Sequence, residues 1–127
     1  MKRLEAVIGE TWRPVPGCQD YQVSDAGRCK RIGATGEFQI EGKLDRLGYR
    51  QFGLMIRPGV QRWFLAHRLI AAVFISPEEV QDGQFMTVNH KNRDKSDNRL
   101  DNLELVTVQD NHKHWRKFPL HSMLKTD

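Results

Sequence analysis

Cysteine is scarce in this chain. Cys18 and Cys29 are the only two, and they form no C-x-x-C pair. That excludes a disulfide-stapled scaffold and a four-cysteine zinc ribbon. A single bridge between them stays open, with two thiols in a reducing compartment as the simpler expectation. Long apolar runs are missing too. The opening MKRLEAVIGETW has no apolar stretch long enough for a signal peptide, and nothing else approaches the roughly 20 apolar residues of a membrane helix. A cytoplasmic protein without membrane association is expected. Repeats, low-complexity tracts and Gly/Ser linkers are absent as well, so residues 1–127 are read as one domain. Charge of one sign does not dominate. Lys and Arg total 20 against 16 Asp and Glu, a net +4. The pI near 9.3 suits a polyanionic partner without identifying one.

What the chain does have is a composition, 39% hydrophobic and 28% charged, that suits a folded globular core. Turn signals crowd its first third. RPVPGCQ, SDAGR, GATGE and DRLGYR separate short segments at Tyr21–Ser24, Cys29–Ile32 and Phe38–Ile40, a pattern of short strands. GYRQFGLMI and QRWFLAH flank RPGV as a β-hairpin carrying Arg50, Arg57 and Arg62. Trp63 and Phe64 are neighbours there and cannot both face inward. From Arg68 the period turns helical. RLIAAVF puts Leu69, Ala72 and Val73 on one side, and Pro77 stops the run.

The stretch TVNHKNRDKSDNRLDNLELVT, residues 87–107, begins and ends like a strand and is polar between. Strands are expected near Phe85–Asn89 and Leu103–Val106. Thr107 then reads as the N-cap of a helix through VQDNHKHWRKF that ends before Pro119, with Trp115 and Phe118 on its core side. A hairpin followed by a helix can hold a metal between the end of the first strand and the first helical turns. Here those positions are Asn89, His90 and Asn111. Amide oxygens are hard neutral donors suited to Mg²⁺. An imidazole beside them titrates near neutrality and can take a proton from water. The alternative is a solvated loop whose Asn and Asp residues simply cap their own backbone.

The motifs LAHRLIAAVFI and VNHKNRDKSDNRLDNLELVTVQDNHKH resemble the HNH endonucleases of phage and intron-encoded type. ETWRPVPGCQDYQVSDAGRCKRI is similar to the short N-terminal motif that often accompanies them, through Trp12, Val15, Gly17, Tyr21, Val23, Ser24 and Gly27. The resemblance implies an α+β fold: a small N-terminal β region, residues 10–60, followed by a ββα-metal core, residues 64–118. It implies cleavage or nicking of double-stranded DNA in a bacterial host cell, by a monomer or homodimer, leaving 5′-phosphate and 3′-hydroxyl ends. A DNA-binding module that keeps the fold without catalysis is the alternative.

In that family pattern His90 falls on the general base. Asn89 and Asn111 fall on ligands of a divalent metal, Mg²⁺ first and Mn²⁺ or Zn²⁺ as alternatives. His114 lies one helical turn beyond Asn111 and rivals it as ligand. Asn102 falls on the central asparagine and is expected to pin the loop. His67, in HRL, is expected to brace the sheet against the helix. The expected DNA contacts are Lys91, Arg93, Lys95 and Arg99 on the loop, Arg50, Arg57 and Arg62 on the hairpin, and Lys113, Arg116 and Lys117 on the helix.

Overall fold

The computed structural model describes residues 2–76 and 86–107. Four short strands, β1 (Trp12–Val15), β2 (Cys18–Ser24), β3 (Cys29–Gly33) and β4 (Gly36–Ile40), make an antiparallel sheet in sequence order. Its turns follow the chemistry read above. Gly17 sits at φ 80° between β1 and β2, and Gly27 at φ 88° between β2 and β3, a region that glycine enters without steric cost. Ahead of the sheet, Glu10 is buried in an ion pair with Arg28, which holds its carboxyl below the usual range.

A second sheet contains β5 (Lys43–Leu44), β6 (Arg50–Arg57) and β7 (Val60–Leu65). The last two form the hairpin expected around RPGV. Pro58 followed by Gly59 at φ 77° fits a type II turn. Such a turn matches the strand twist poorly, and the register slips between Met55 and Arg57 just before it. Tyr21 Oη, on β2, accepts the Met55 N–H at 3.2 Å, joining the two sheets at that irregularity. Of the neighbouring aromatics, Phe64 packs on the core and Trp63 is exposed, its ring under the Lys43 ammonium.

Helix α1 (Ala66–Phe74) follows β7 directly, beginning two residues before the expected start. Its buried residues are Ala66, His67, Leu69, Ile70 and Ala71, while Ala72 and Val73 are only partly buried. The arc is wider than Leu69, Ala72 and Val73 alone because α1 packs on β1, β2, β6 and β7 as well as on the last two strands. Those strands are β8 (Met86–His90) and β9 (Leu103–Thr107), a two-stranded antiparallel ribbon with a short 3₁₀ turn, Leu100–Asn102, entering β9. Val88 and Leu103 join Phe52, Leu54, Ile70, Val23 and Cys29 in one core. Cys18 and Cys29 are both buried and unbridged, and burial pushes the Cys29 thiol up to about 12. No helix among the described residues is long and apolar enough to cross a membrane.

Candidate active site

The ribbon ends at the polar loop, and its pairing decides which way each side chain points. His90 stands opposite Leu103, and Asn89 opposite Glu104. Adjacent residues on a strand face opposite ways. His90 therefore shares the core-facing side with Val88 and Leu103, and Asn89 shares the other side with Glu104.

On the core side His90 is almost fully buried, at 3% exposure, within a column of rings. Its imidazole lies 4.8 Å from that of His67 on α1, and His67 stacks on Tyr49 at 5.1 Å with the planes 22° apart. Asn98 Oδ1 is 2.9 Å from His90 Nε2. An amide oxygen only accepts, so in the neutral ring Nε2 carries the proton and the lone pair sits on Nδ1. On the other face, Asn89 Nδ2 donates to Glu104 Oε1 at 2.8 Å. That bond fixes the amide and leaves Asn89 Oδ1 buried with no hydrogen-bond partner.

The loop itself is closed by its own polar side chains. Lys91 N donates to Asn102 O at 2.8 Å and Arg93 N to His90 O at 2.9 Å, with Arg93 at φ 62°. Asn102 Oδ1 accepts from Asn92 N, while its Nδ2 donates to Asn92 Oδ1 at 3.0 Å and to Asp97 O at 2.8 Å. Asp94 accepts from both the backbone and the hydroxyl of Ser96, which hold its carboxyl below the usual range. Asp97 accepts two bonds from the Arg99 guanidinium and is lowered to about 2 by that partner.

The expected site residues thus separate. His90 and Asn89 are neighbours at the strand end, and the bonds of Asn102 run to Asn92 and Asp97 in the loop. Of the loop cations, Lys91 and Arg99 are exposed, and Arg99 is paired with Asp97. Lys95 donates to Leu47 O at 3.0 Å and sits 4.9 Å from the Tyr49 ring, so its head is engaged on the 45–49 turn. Arg50 donates to Glu41 O at 2.6 Å, and Arg62 lies over Phe64. Arg57 is at the far end of β6, roughly 20 Å along the strand from Arg50. Asn111, His114, Lys113, Arg116 and Lys117 lie outside the described residues, as do Trp115 and Phe118.

Two participants were not in the expected set. Asn98, rather than Asn102, meets the His90 ring. Its signal is the asparagine of SDN within the quoted motif. Tyr49 carries no local sign of its place, because the contact comes from a turn more than a strand away.

Among the described residues no group of three His, Cys, Asp or Glu side chains could hold a metal ion. Asn89 Oδ1 does fit one donor position of a hard cation, being a buried neutral oxygen whose acceptor capacity is unused.

Residues 64–113, which include the ribbon, the loop and His90, match the family model described as HNH endonuclease. An uncharacterized HNH endonuclease of Acanthamoeba polyphaga mimivirus is 34% identical over 110 residues, covering 83% of this chain and 26% of the relative. The DNA endonuclease I-HmuI of Bacillus phage SP01 is 34% identical over 101 residues, covering 79% and 54%. The solved structure of I-HmuI, described as DNA binding and cleavage by that HNH homing endonuclease, superposes with a TM-score of 0.73 at 27% identity. It matches 91% of this chain and 62% of its own. The α+β fold is therefore shared with an HNH homing endonuclease. The chain spans about a quarter and about half of the two curated relatives.

Proposed function

We propose that this chain is an endonuclease that hydrolyses phosphodiester bonds of double-stranded DNA, with His90 as general base. The observation that carries the reading is the strand end itself. There adjacent residues present an imidazole whose proton is drawn to Asn98 and a buried amide oxygen with no partner. The likeness to I-HmuI, a DNA endonuclease, favours DNA as the substrate.

His90 Nδ1 takes a proton from the attacking water as the water oxygen bonds to phosphorus. The bond to the 3′-oxygen breaks, and that oxygen leaves protonated from solvent, giving 5′-phosphate and 3′-hydroxyl ends. Asn98 holds the ring in one tautomer, and the stack with His67 and Tyr49 restricts its tilt. A bound divalent cation supplies charge stabilisation for the crowded phosphate and the departing oxygen. Asn89 Oδ1 would hold it, with Asn111 as second ligand and His114 as the rival to Asn111. Lys91, Arg93, Lys95 and Arg99 are the nearest cations by sequence for flanking phosphates, which makes binding salt-dependent. One such site cuts one strand, so a monomer nicks and a double-strand break takes two copies or two visits.

The test is conversion of supercoiled plasmid by purified protein with Mg²⁺, beside His90→Ala and an EDTA control. Relaxed circles from wild type alone, abolished by EDTA, are expected. Binding without cutting under Mg²⁺, Mn²⁺ and Zn²⁺ would replace catalysis with the non-catalytic DNA-binding module.

A further inference from the structure

The N-terminal motif includes Ser24 and Gly27, and the chemistry above uses neither. Ser24 ends β2 and Gly27 lies in the turn that leads from it to β3. Ser24 is fully buried, and its Oγ accepts the N–H groups of Ala26 at 3.2 Å and Arg28 at 3.1 Å. Ser24 N donates to Arg28 O, and Gly27 N to Ser24 O, so the turn is closed twice by backbone and twice by one hydroxyl. Asp25 adds a clamp on the preceding strap: its Oδ1 accepts from Thr11 N and its own N–H donates to Thr11 O. A turn held this way has little freedom to yield.

Its outer face bears on the loop that holds the site. Leu100 N donates to Asp25 O at 2.8 Å. A Cβ placed on Gly27 would stand 2.9 Å from Asn98 C, 3.0 Å from Asn98 O and 3.2 Å from Arg99 N. All three are backbone atoms, which cannot swing aside as a side-chain tip does. Asn98 is also the residue whose Oδ1 meets His90 Nε2. The contact therefore runs from the Ser24-locked turn through Gly27 to the backbone of Asn98, and from its side chain to the imidazole.

We propose that the Asp25–Gly27 turn of the N-terminal sheet is a positioning element for His90, setting the place of Asn98 from behind. Its catalytic consequence rests on the nuclease reading; its structural consequence does not. Gly27 permits the close approach, the Asp25 carbonyl fixes the far side through Leu100, and the N-terminal motif contributes to the site's geometry without touching substrate.

Gly27→Ala and Gly17→Ala form a matched pair. Both glycines have positive φ, 88° and 80°, so both substitutions strain the backbone, but a Cβ at Gly17 meets nothing within 4 Å. The first readout is the ¹H–¹⁵N spectrum of the histidine rings, with His90 assigned by loss of its signals in His90→Gln. The Nε2–H tautomer of His90 is expected in wild type and in Gly17→Ala, and a tautomer mixture in Gly27→Ala. The second is plasmid nicking. A fall in kcat of about 10- to 100-fold is expected for Gly27→Ala, the scale of a sub-ångström to ångström misplacement, with KM for DNA within about twofold. Should Gly27→Ala not fold, Ser24→Ala loosens the turn without adding bulk and is expected to disturb the same ring signature. A folded Gly27→Ala with wild-type ring signals and kcat overturns the proposal. So does an equal loss in Gly17→Ala, or a wild-type ring signature in Ser24→Ala where that variant has to decide. If wild type does not cut DNA, the nuclease reading fails while the ring spectra still decide the positioning role.

Discussion

Replacing Asn102 by alanine removes three hydrogen bonds from the loop and leaves His90's own partner in place. Asn102 is 6% exposed, and its amide joins Asn92 N, Asn92 Oδ1 and Asp97 O. At roughly 1 kcal/mol net for each bond, the sum is about 3 kcal/mol. Asn92 is exposed, so water can replace part of what it loses. The expected cost is therefore about 2 kcal/mol, read as a drop in urea midpoint at constant slope.

Asn102→Asp sharpens the reasoning. It keeps the oxygen that accepts from Asn92 N. It also turns a second oxygen toward two acceptors, Asn92 Oδ1 and Asp97 O, where the amide now donates at 3.0 and 2.8 Å. An ionised carboxylate there loses two bonds and gains repulsion, so at neutral pH it is expected to cost at least as much as alanine. Repulsion and burial push that carboxyl above its ordinary range, so as pH falls toward about 4 it protonates, regains a donor and recovers part of the loss. If Asn102→Asp unfolded within about 0.5 kcal/mol of wild type at neutral pH, the loop would not be held as described and the reasoning would fail.

Three further outcomes are expected. Asp97 has its pKa lowered to about 2 by the Arg99 hydrogen bond, so its stabilisation is complete above about pH 4 and lost as pH falls toward 2; Asp97→Asn should flatten urea stability across that window, and an unchanged slope would count against the pairing. Cys29, raised to about 12 by burial, should resist iodoacetamide at pH 8 until the chain unfolds, and above about pH 9 stability should decline because only the unfolded thiol ionises. Asn89→Asp sets a carboxylate opposite Glu104, across the pair now joined at 2.8 Å. Like charges so placed destabilise, so thermal melting should show a lower Tm without metal and a larger gain on adding Mg²⁺ than wild type shows; equal gains in both would argue against a cation at Asn89.

Legibility in the sequence followed the range of the interactions. The hairpin at RPGV could be read because Pro58 and Gly59 specify their own backbone, and the loop because Asn and Asp bond within a few residues. Helix α1 was placed, but its start and buried arc were not. Leu65 offers no side-chain cap to mark the boundary, and the arc depends on both sheets and the ribbon packing around it. His67 was expected only to brace sheet and helix; its ring lies between Tyr49 and His90 because strand β6, helix α1 and strand β8 converge there. Asn98 was passed over for the same reason. Two asparagines four positions apart are equivalent in a string, and the turn at Gly27 helps decide which one faces the histidine.

The repeated asparagines also follow a rule that the bonds make visible. The loop side chains that only accept are carboxylates in three cases, Asp94 from Ser96, Asp97 from Arg99 and Asn92, and Asp45 in the neighbouring turn from Leu47 N and Tyr49 N, and an amide in one, Asn98 toward His90. Where it must both donate and accept, it is an amide. Asn92 donates to Asp97 while accepting from Asp94 N, and Asn102 accepts from Asn92 N while donating to Asp97 O. Asn89 breaks the pattern. Its donor is used on Glu104, and its acceptor is buried and unfilled. A buried polar atom without a partner costs about 1–3 kcal/mol, and an apolar side chain would avoid that cost. Retaining an amide at that position makes physical sense if its oxygen has a ligand from outside the described chain. The bonds of Asn92, Asp94, Asp97 and Asn102 account for the loop's shape; Asn89 Oδ1 is the atom that a bound cation would explain.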